Sequence, residues 1–340
     1  MKNPIKPFKI HFVCRGNTFR SRLAAAYMDT VSGKQFAVSS SGIAALQATP
    51  KIVESYTKAV ARTFGLTHGI TDAKTQTTNQ LLAEADVIVF MNKDVYDDTQ
   101  KEYEFDIRKT VVWHVADIDP AVKHASLVEG NQQLVLDAAS NTYARIRGLC
   151  DELYEYLTHT PWVDVADAEN RSTGLRLPLG WVTDRGLWHR GVHVVAQTSD
   201  GKFVVGKRAN SIVFAPGMLE ISLGGGIDAG ESPIQAAVRE THEELGVHVP
   251  EKHFRPLFMY RLNSFHPRYN KRTRGHVYVY AVTLPLHSQL APQISEVAEL
   301  RTLTKRQVLR MLRMHRVAHF GRLKWNYELY KKAVAYSLHP

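Results

Sequence analysis

The chain has 340 residues, 44% hydrophobic and 22% charged, and a net charge of +10. That length exceeds one comfortable core and fits two domains of ordinary size, with no internal repeat or low-complexity segment. Two cysteines, no apolar run of about eighteen residues and no signal-like N-terminus exclude a membrane-spanning or secreted, disulfide-stapled protein and point to a reducing cytoplasm.

In chain order, residues 9–13 form a short apolar strand that runs into Cys14, Arg15, Gly16, Asn17, Thr18, Phe19, Arg20 and Ser21, and a helical pattern follows over 23–28. Five residues between Cys14 and Arg20 can turn their backbone N–H groups inward at a helix N-terminus, which makes an anion site. The same field favours the thiolate at Cys14, the nucleophilic form. Arg20 offers a planar fork to two phosphoryl oxygens, and Ser21 can hydrogen-bond a departing thiolate. The ordinary alternative for a single cysteine is a buried structural role.

C-x5-R-S between a strand and a helix near the N-terminus resembles the phosphate loop of the low-molecular-weight protein tyrosine phosphatases. Three further stretches match: residues 38–43 stand where that family has its S-A-G segment, 85–91 resemble its second core strand, and Asp119-Pro120 falls at its D-P pair. The resemblance implies that Asn17 braces the loop, that Arg15, Gly16, Asn17, Thr18, Phe19 and Ser21 bind the phosphoryl group, and that no cofactor is needed. It makes Asp119 the general acid that protonates the leaving oxygen, with Asp117 as rival. Members that take phosphotyrosine usually carry two tyrosines after D-P, whereas Ala121, Val122, Lys123 and His124 follow here. Nor does Thr18-Phe19 supply a second loop cysteine, and Cys150 alone does not supply the redox cysteines of arsenate reductases of similar fold.

The βα alternation of this half predicts an α/β domain, a four-stranded parallel sheet with helices on both faces and Cys14 at a strand's C-terminal end. A long helical pattern over 134–157 closes it, giving a first domain of 1–160. The polar, aperiodic stretch 164–174 predicts a linker over 161–175, and the second domain spans 176–340.

The second domain opens with strand-like runs at 187–195 and 200–208. From Gly225, five residues lead to Glu231, seven more to Arg239-Glu240, and Glu243-Glu244-Leu245-Gly246-Val247 closes the run. Ser232 is an N-cap candidate, Pro233 suits a first helical turn, and the helix ends at Gly246. Glu240, Glu243 and Glu244 then project from one face. Hard oxygen ligands packed so closely suit Mg²⁺ or Mn²⁺, with Arg239 paired to Glu231 or another carboxylate as support. The bland alternative is a solvated acidic face.

This spacing matches the Nudix box, G-x5-E-x7-R-E-U-x-E-E-x-G-U, at every position except Thr241, where the pattern has a bulky aliphatic residue. The resemblance implies a Nudix α/β/α sandwich with a mixed sheet, structural roles for Gly225, Glu231, Arg239 and Gly246, and metal binding by Glu240, Glu243 and Glu244. The opening hairpin is most similar to the branch that includes isopentenyl diphosphate isomerases, whose cysteine is missing here, so metal-assisted hydrolysis of a diphosphate bond is implied instead. Glu243, or a carboxylate outside the box, acts as base. Arg208, together with Phe214, Trp188 and Tyr260, is a candidate for the substrate pocket.

The first 160 residues hold 18 basic and 18 acidic residues, which leaves 25 and 15 to the remainder, so the entire excess lies in the second half. Residues 266–274 predict a long basic hairpin loop that draws an anionic, nucleotide-linked substrate or an RNA 5′ end. A second basic concentration, at 305–316 and 322–324, falls on C-terminal helices and has the bland meaning of solvated faces. Cleavage of a diphosphate leaves monoesters and the cysteine site removes phosphate from monoesters, so the expected function is a bifunctional hydrolase acting in sequence. Independent action on a phosphoprotein and on nucleotides, a merely phosphate-binding first half and a non-catalytic nucleotide or RNA sensor are the rivals.

Overall fold

The computed structural model describes residues 8–47, 54–66, 70–118, 132–211, 216–266, 271–285, 288–313 and 331–335. The chain forms two compact units, 1–159 and 160–340.

In the first unit, strand β1 (Phe8–Cys14), helix α1 (Arg20–Val31) and strand β2 (Phe36–Gly42) are followed by α2 (Ser55–Thr63), α3 (Asn79–Glu84), β3 (Val87–Phe90), α4 (Lys93–Glu102), β4 (Thr110–Val112) and α5 (Gln132–His159). The strands lie in the order β2-β1-β3-β4, and every pairing is parallel. Ile10, Phe12 and Val13, with all of β3, are buried, the continuous apolar character of strands covered on both faces. Leu23, Ala26, Val60, Ala61, Ala139 and Tyr143 join α1, α2 and α5 in one cluster. Val13, Ile88 and Phe90 join Leu82 of α3 and Val95 of α4 in another. The predicted four-stranded parallel sheet is present, and Cys14 ends β1, where the crossover to α1 leaves a crevice.

Thr78 and Asn92 start α3 and α4 by accepting hydrogen bonds from Leu81 and Val95 amides. No side chain caps α1, which leaves its first-turn N–H groups available to a ligand.

The second unit begins earlier than predicted. Within the expected linker lie β5 (Trp162–Ala166) and the start of β6 (Ser172–Pro178), an antiparallel hairpin whose β5 also pairs with β7 (Trp188–Gln197). The polar residues misled the reading because they are the outward-facing half of strands: Val163 and Val165 are buried, while Asp164 turns outward onto Arg176. Further on come α6 (Leu179–Asp184), β8 (Phe203–Arg208), β9 (Leu219–Glu220), α7 (Pro233–Leu245), β10 (Phe254–His266), β11 (Lys271–Thr283), β12 (Val297–Leu303) and α8 (Lys305–Arg313).

Strand order is β10-β11-β7-β5-β6, with β8 joining β7, β9 and β12; β11 and β7 are parallel and the other pairings antiparallel. Val192, Val194 and Val282 pack with Ala236, Ala237 and Leu245 of α7. Val195, Phe203, Val205 and Val279 pack with Val308, Met311 and Leu312 of α8 and with Ala333 and Val334. Neighbouring residues of β7 thus face opposite layers, the α/β/α sandwich.

The basic stretch 266–274 is shorter as a loop than expected. β10 runs on to His266 and β11 begins at Lys271, so Arg272 and Arg274 are strand residues lying over the Phe265 and Trp188 rings. Of the basic C-terminal stretch, 314–316 and 322–324 lie outside the described residues.

Candidate functional site

In the first unit, the loop after β1 closes on the Cys14 sulfur. Asn17 N–H donates to Cys14 Sγ at 3.2 Å, and Ser21 Oγ lies 3.0 Å from the same atom. Asn17 sits at φ 50°, a left-handed conformation that asparagine tolerates, and this turns its amide toward the sulfur. Its side chain donates to Ser21 Oγ at 3.1 Å and Ser40 Oγ at 3.0 Å and accepts from Thr75 N at 2.8 Å. The segment 38–43, which resembles the family's S-A-G, therefore supplies Ser40 as a brace and Gly42 as a close approach. A Cβ on Gly42 would lie 2.5 Å from Asn17 N and 2.7 Å from Arg15 O.

Arg20 is buried, gives Nη1 to Val115 O at 2.9 Å and places Nη2 3.5 Å from Asp117 Oδ2. The guanidinium and the rival acid thus meet at the mouth of the loop. Asp119 lies outside the described residues. Arg15 points away, to Asp98 Oδ2 at 2.6 Å, and Gly16 has open space around it. The Thr18 carbonyl accepts from Thr57 Oγ1 at 3.0 Å, and the buried Phe19 ring meets Tyr56 edge-on at 5.5 Å. The first turn of α2 thereby clamps the outer half of the loop and brings an aromatic ring beside it, a contribution the sequence pattern did not signal. Arg22 is also buried and was not predicted; its guanidinium reaches Ala73 O at 2.6 Å, Thr71 O at 2.9 Å and Asn17 Oδ1 at 3.4 Å. Cys150 is buried in α5, and burial pushes its thiol well up, as expected of an inert structural cysteine.

In the second unit, α7 starts with a capping box: Ser232 Oγ accepts from Gln235 N while Gln235 Oε1 accepts from Ser232 N, with Pro233 in the first turn. It ends at Gly246, φ 70°. Thr241, the departure from the box pattern, is fully buried and satisfies its hydroxyl on Ala237 O at 2.7 Å, so its methyl packs without a polar penalty.

Arg239 is the hub. It donates to both Glu231 oxygens, at 3.1 and 3.0 Å, and to Gly226 O at 2.9 Å, while Nη1 meets Glu240 Oε1 at 2.8 Å and Glu243 Oε2 at 3.1 Å. These bonds hold the guanidinium strongly in its charged form against the cost of burial. Gly225 is required because a Cβ there would stand 2.6 Å from Glu240 Oε1. Glu244 accepts from Gly224 N at 2.7 Å and faces a cavity of about 230 Å³ lined also by Lys207, Arg208, Glu220, Ser222 and Glu296. Arg208, the predicted substrate contact, is held by Glu220 at 2.5 Å.

Glu240 and Glu244 are buried while Glu243 is half exposed. Because Arg239 stands between Glu240 and Glu243, no cluster of three ligating side chains forms among the described residues. The electrostatics nonetheless fit a divalent cation. Burial raises Glu240 to about 7 despite Arg239, and burial together with Glu220, Glu240 and Glu296 pushes Glu244 well up. The carboxylates of Glu220, Glu244 and Glu296 on the cavity lining, with Glu240 behind them, are hard oxygen donors of the class that divalent cations take. Glu220 and Glu296 lie outside the box, where no spacing rule pointed to them.

Of the other pocket candidates, Phe214 lies outside the described residues. Tyr260 bonds His193 Nδ1 at 3.2 Å and packs with the α8 layer, opposite α7. Trp188 stacks on His276 with Arg261 over its ring, and neither aromatic lines the cavity.

Known proteins resemble each half separately. Residues 9–160 match the family described as low molecular weight phosphotyrosine protein phosphatase, and 187–325 match the NUDIX domain. The uncharacterized Nudix hydrolase YfcD of Escherichia coli K12 is 34% identical over 91 residues, 27% of this chain and 50% of YfcD. The chain thus spans about half the length of that relative. The uncharacterized Nudix hydrolase orf19 of Rhodococcus erythropolis is 31% identical over 126 residues, 36% of this chain and 67% of its own length. Among solved structures, DR0079 of Deinococcus radiodurans aligns at TM-score 0.38 and 21% identity over 49% of this chain and 98% of its own. Vibrio vulnificus Wzb, solved with benzylphosphonate, aligns at 0.36 and 19% over 44% and 99%. The chain joins a low molecular weight phosphotyrosine protein phosphatase domain to a NUDIX domain.

Proposed function

We propose that this chain is a bifunctional hydrolase of the reducing cytoplasm, cleaving a diphosphate bond in a nucleoside diphosphate-linked compound at the NUDIX domain and a phosphate monoester at Cys14. The observation that carries the reading is the hydrogen-bonded Cys14 sulfur, 3.2 Å from Asn17 N and 3.0 Å from Ser21 Oγ, in a loop that ends at buried Arg20.

At the cysteine site, a phosphoryl group takes the backbone N–H groups of 15–20 and the fork of Arg20, displacing Asp117. The Cys14 thiolate attacks phosphorus; the S–P bond forms as the ester P–O bond breaks, and Asp117 or Asp119 gives its proton to the leaving oxygen. Water then attacks phosphorus, the same aspartate takes its proton, and the sulfur leaves as a thiolate that accepts a hydrogen bond from Ser21. No cofactor enters these steps.

At the NUDIX site, Glu240, Glu243 and Glu244 would hold Mg²⁺ or Mn²⁺, which when bound supplies Lewis-acid polarisation of the diphosphate and activation of water. Arg239 fixes the rotamers of Glu240 and Glu243, Glu231 fixes Arg239, and Lys207 and Arg208 on the cavity lining are the cations that meet an anionic, nucleotide-linked substrate beside the bound metal. Glu243, the most exposed of the three, or a cavity carboxylate outside the box, takes the proton from water. Diphosphate cleavage yields monoesters, the substrate class of the other domain, and tethering raises their effective concentration there.

The test is hydrolysis of an aryl phosphate by wild type and Cys14→Ser, beside diphosphate cleavage with and without Mg²⁺ or Mn²⁺ in wild type and Glu243→Gln. Each variant should lose its own reaction and keep the other. An aryl phosphatase activity equal in wild type and Cys14→Ser would reduce the first domain to a phosphate-binding module.

A further inference from the structure

Directly after Ser21, where the phosphate loop has already ended, stands a second buried arginine that the mechanism above does not use. Arg22 leaves only 6% of its surface exposed. Its Nη1 donates to Ala73 O at 2.6 Å and to Asn17 Oδ1 at 3.4 Å, and its Nη2 to Thr71 O and Oγ1, both at 2.9 Å. Asn17 in turn gives its backbone N–H to Cys14 Sγ, and its side-chain amide to Ser21 Oγ, the second group on the sulfur. A fixed positive charge is therefore joined to the nucleophile through one asparagine, by two routes.

Burying a guanidinium is expensive, and carbonyl contacts alone offset it only in part. Within the network the compensation comes from negative charge: burial weakens the hold of Arg22 on its proton, whereas Cys14 as thiolate and Asp72 strengthen it.

We propose that Arg22 is a positioning residue for Cys14: it anchors Asn17 to the 71–75 segment and holds the sulfur as thiolate from behind the loop. The proposal rests on reading Cys14 as the nucleophile. Other charges near the loop have their own partners: Arg20 with Asp117, Arg15 with Asp98, and Lys58 with Asp72. His11, on the same strand as Cys14, is bonded to Ser39 and Ser41 at 2.7 Å each, and burial lowers it to about 4, so it stays neutral. Among the described residues, Arg22 is a cation whose hydrogen bonds lead back to the sulfur, through Asn17.

The test is the pH profile of iodoacetamide alkylation of Cys14 in the full chain, a readout that needs no substrate. Cys14 and Cys150 fall on different peptides, so mass spectrometry reads the Cys14 modification apart from Cys150, whose thiol burial pushes well up. In Arg22→Gln, which keeps a hydrogen-bonding amide and removes the charge, the thiolate midpoint should move about one pH unit upward, a roughly tenfold loss of thiolate below it. Arg22→Lys, which keeps the charge but not the fork, should stay near wild type in the midpoint while losing thermal stability. A midpoint in Arg22→Gln equal to that of wild type overturns the proposal. Should Arg22→Gln fail to fold, a Lys variant with a raised midpoint overturns it as well, and one with the wild-type midpoint supports it. If wild-type Cys14 itself titrates like a free thiol, near 8.5, the nucleophile reading fails instead.

Discussion

Gly42→Ala is a one-carbon perturbation aimed at the phosphate loop from outside it. The added Cβ would lie 2.5 Å from Asn17 N, 2.7 Å from Arg15 O and 2.8 Å from Gly16 C, all backbone atoms of the loop. Gly42 itself cannot retreat cheaply, because its N–H donates to Thr75 O and its carbonyl accepts from Thr77 N, both at 2.9 Å, while its strand pairs with β1 at Cys14. The loop must therefore yield by about 0.9 Å to restore an ordinary 3.4 Å contact. Misplacing reacting groups by roughly 1 Å costs on the order of 10²-fold in rate. Overpacking of this kind also costs about 1–3 kcal/mol, roughly 2–12 °C in the melting temperature of a domain this size. The assay is kcat/KM for an aryl phosphate beside metal-dependent diphosphate cleavage in the same preparation. The first should fall by about two orders of magnitude while the second stays unchanged. An Ala variant within about twofold of wild type would refute the idea that loop geometry beside Cys14 governs the reaction.

Two further outcomes follow from buried ionisable groups. His11 is held near 4 in the folded state against 6.5 unfolded, so between those values the unfolded chain binds the extra proton. Stability of the first domain should be fully present above pH 6.5 and fall by up to about 3 kcal/mol as pH drops to 4, and calorimetry across that window should find a shallower fall in His11→Gln. Glu244→Gln replaces with a neutral amide a buried carboxyl whose ionisation burial and Glu220, Glu240 and Glu296 oppose. Without added metal its second domain should melt at or above the wild-type temperature, and the stabilisation that Mg²⁺ or Mn²⁺ gives wild type in a thermal-shift titration should be lost.

Both motifs were legible because their chemistry fixes spacing along a single short segment. Cys14 to Ser21 is one strand-to-helix turn, and Glu231, Arg239, Glu240, Glu243 and Glu244 belong to one loop and one helix, so sequence distance translates into position. The parallel sheet was legible for the same reason, through alternation of apolar strands and helices. Groups that reach a site across the fold were not: Tyr56 and Thr57 on α2, Thr75 beside Asn17, and Glu220 with Glu296 around the cavity are contributed by tertiary packing. The linker was misread because Asp164 and Arg176 form an outward pair on a half-exposed hairpin, which on paper looks like solvated loop. The basic loop was overestimated because arginines stacked on Trp188 and Phe265 are compatible with strand, although charge count suggested otherwise.

The claim on which the account turns is that the two domains act in series on one compound. Nucleoside diphosphate-linked substrates should be given to the full chain with Mg²⁺ or Mn²⁺, and inorganic phosphate followed over time in wild type, Cys14→Ser and Glu243→Gln. Wild type should release phosphate after a lag, Cys14→Ser should accumulate the monoester without releasing phosphate, and Glu243→Gln should leave the substrate intact. Phosphate release by Cys14→Ser equal to that of wild type would contradict it.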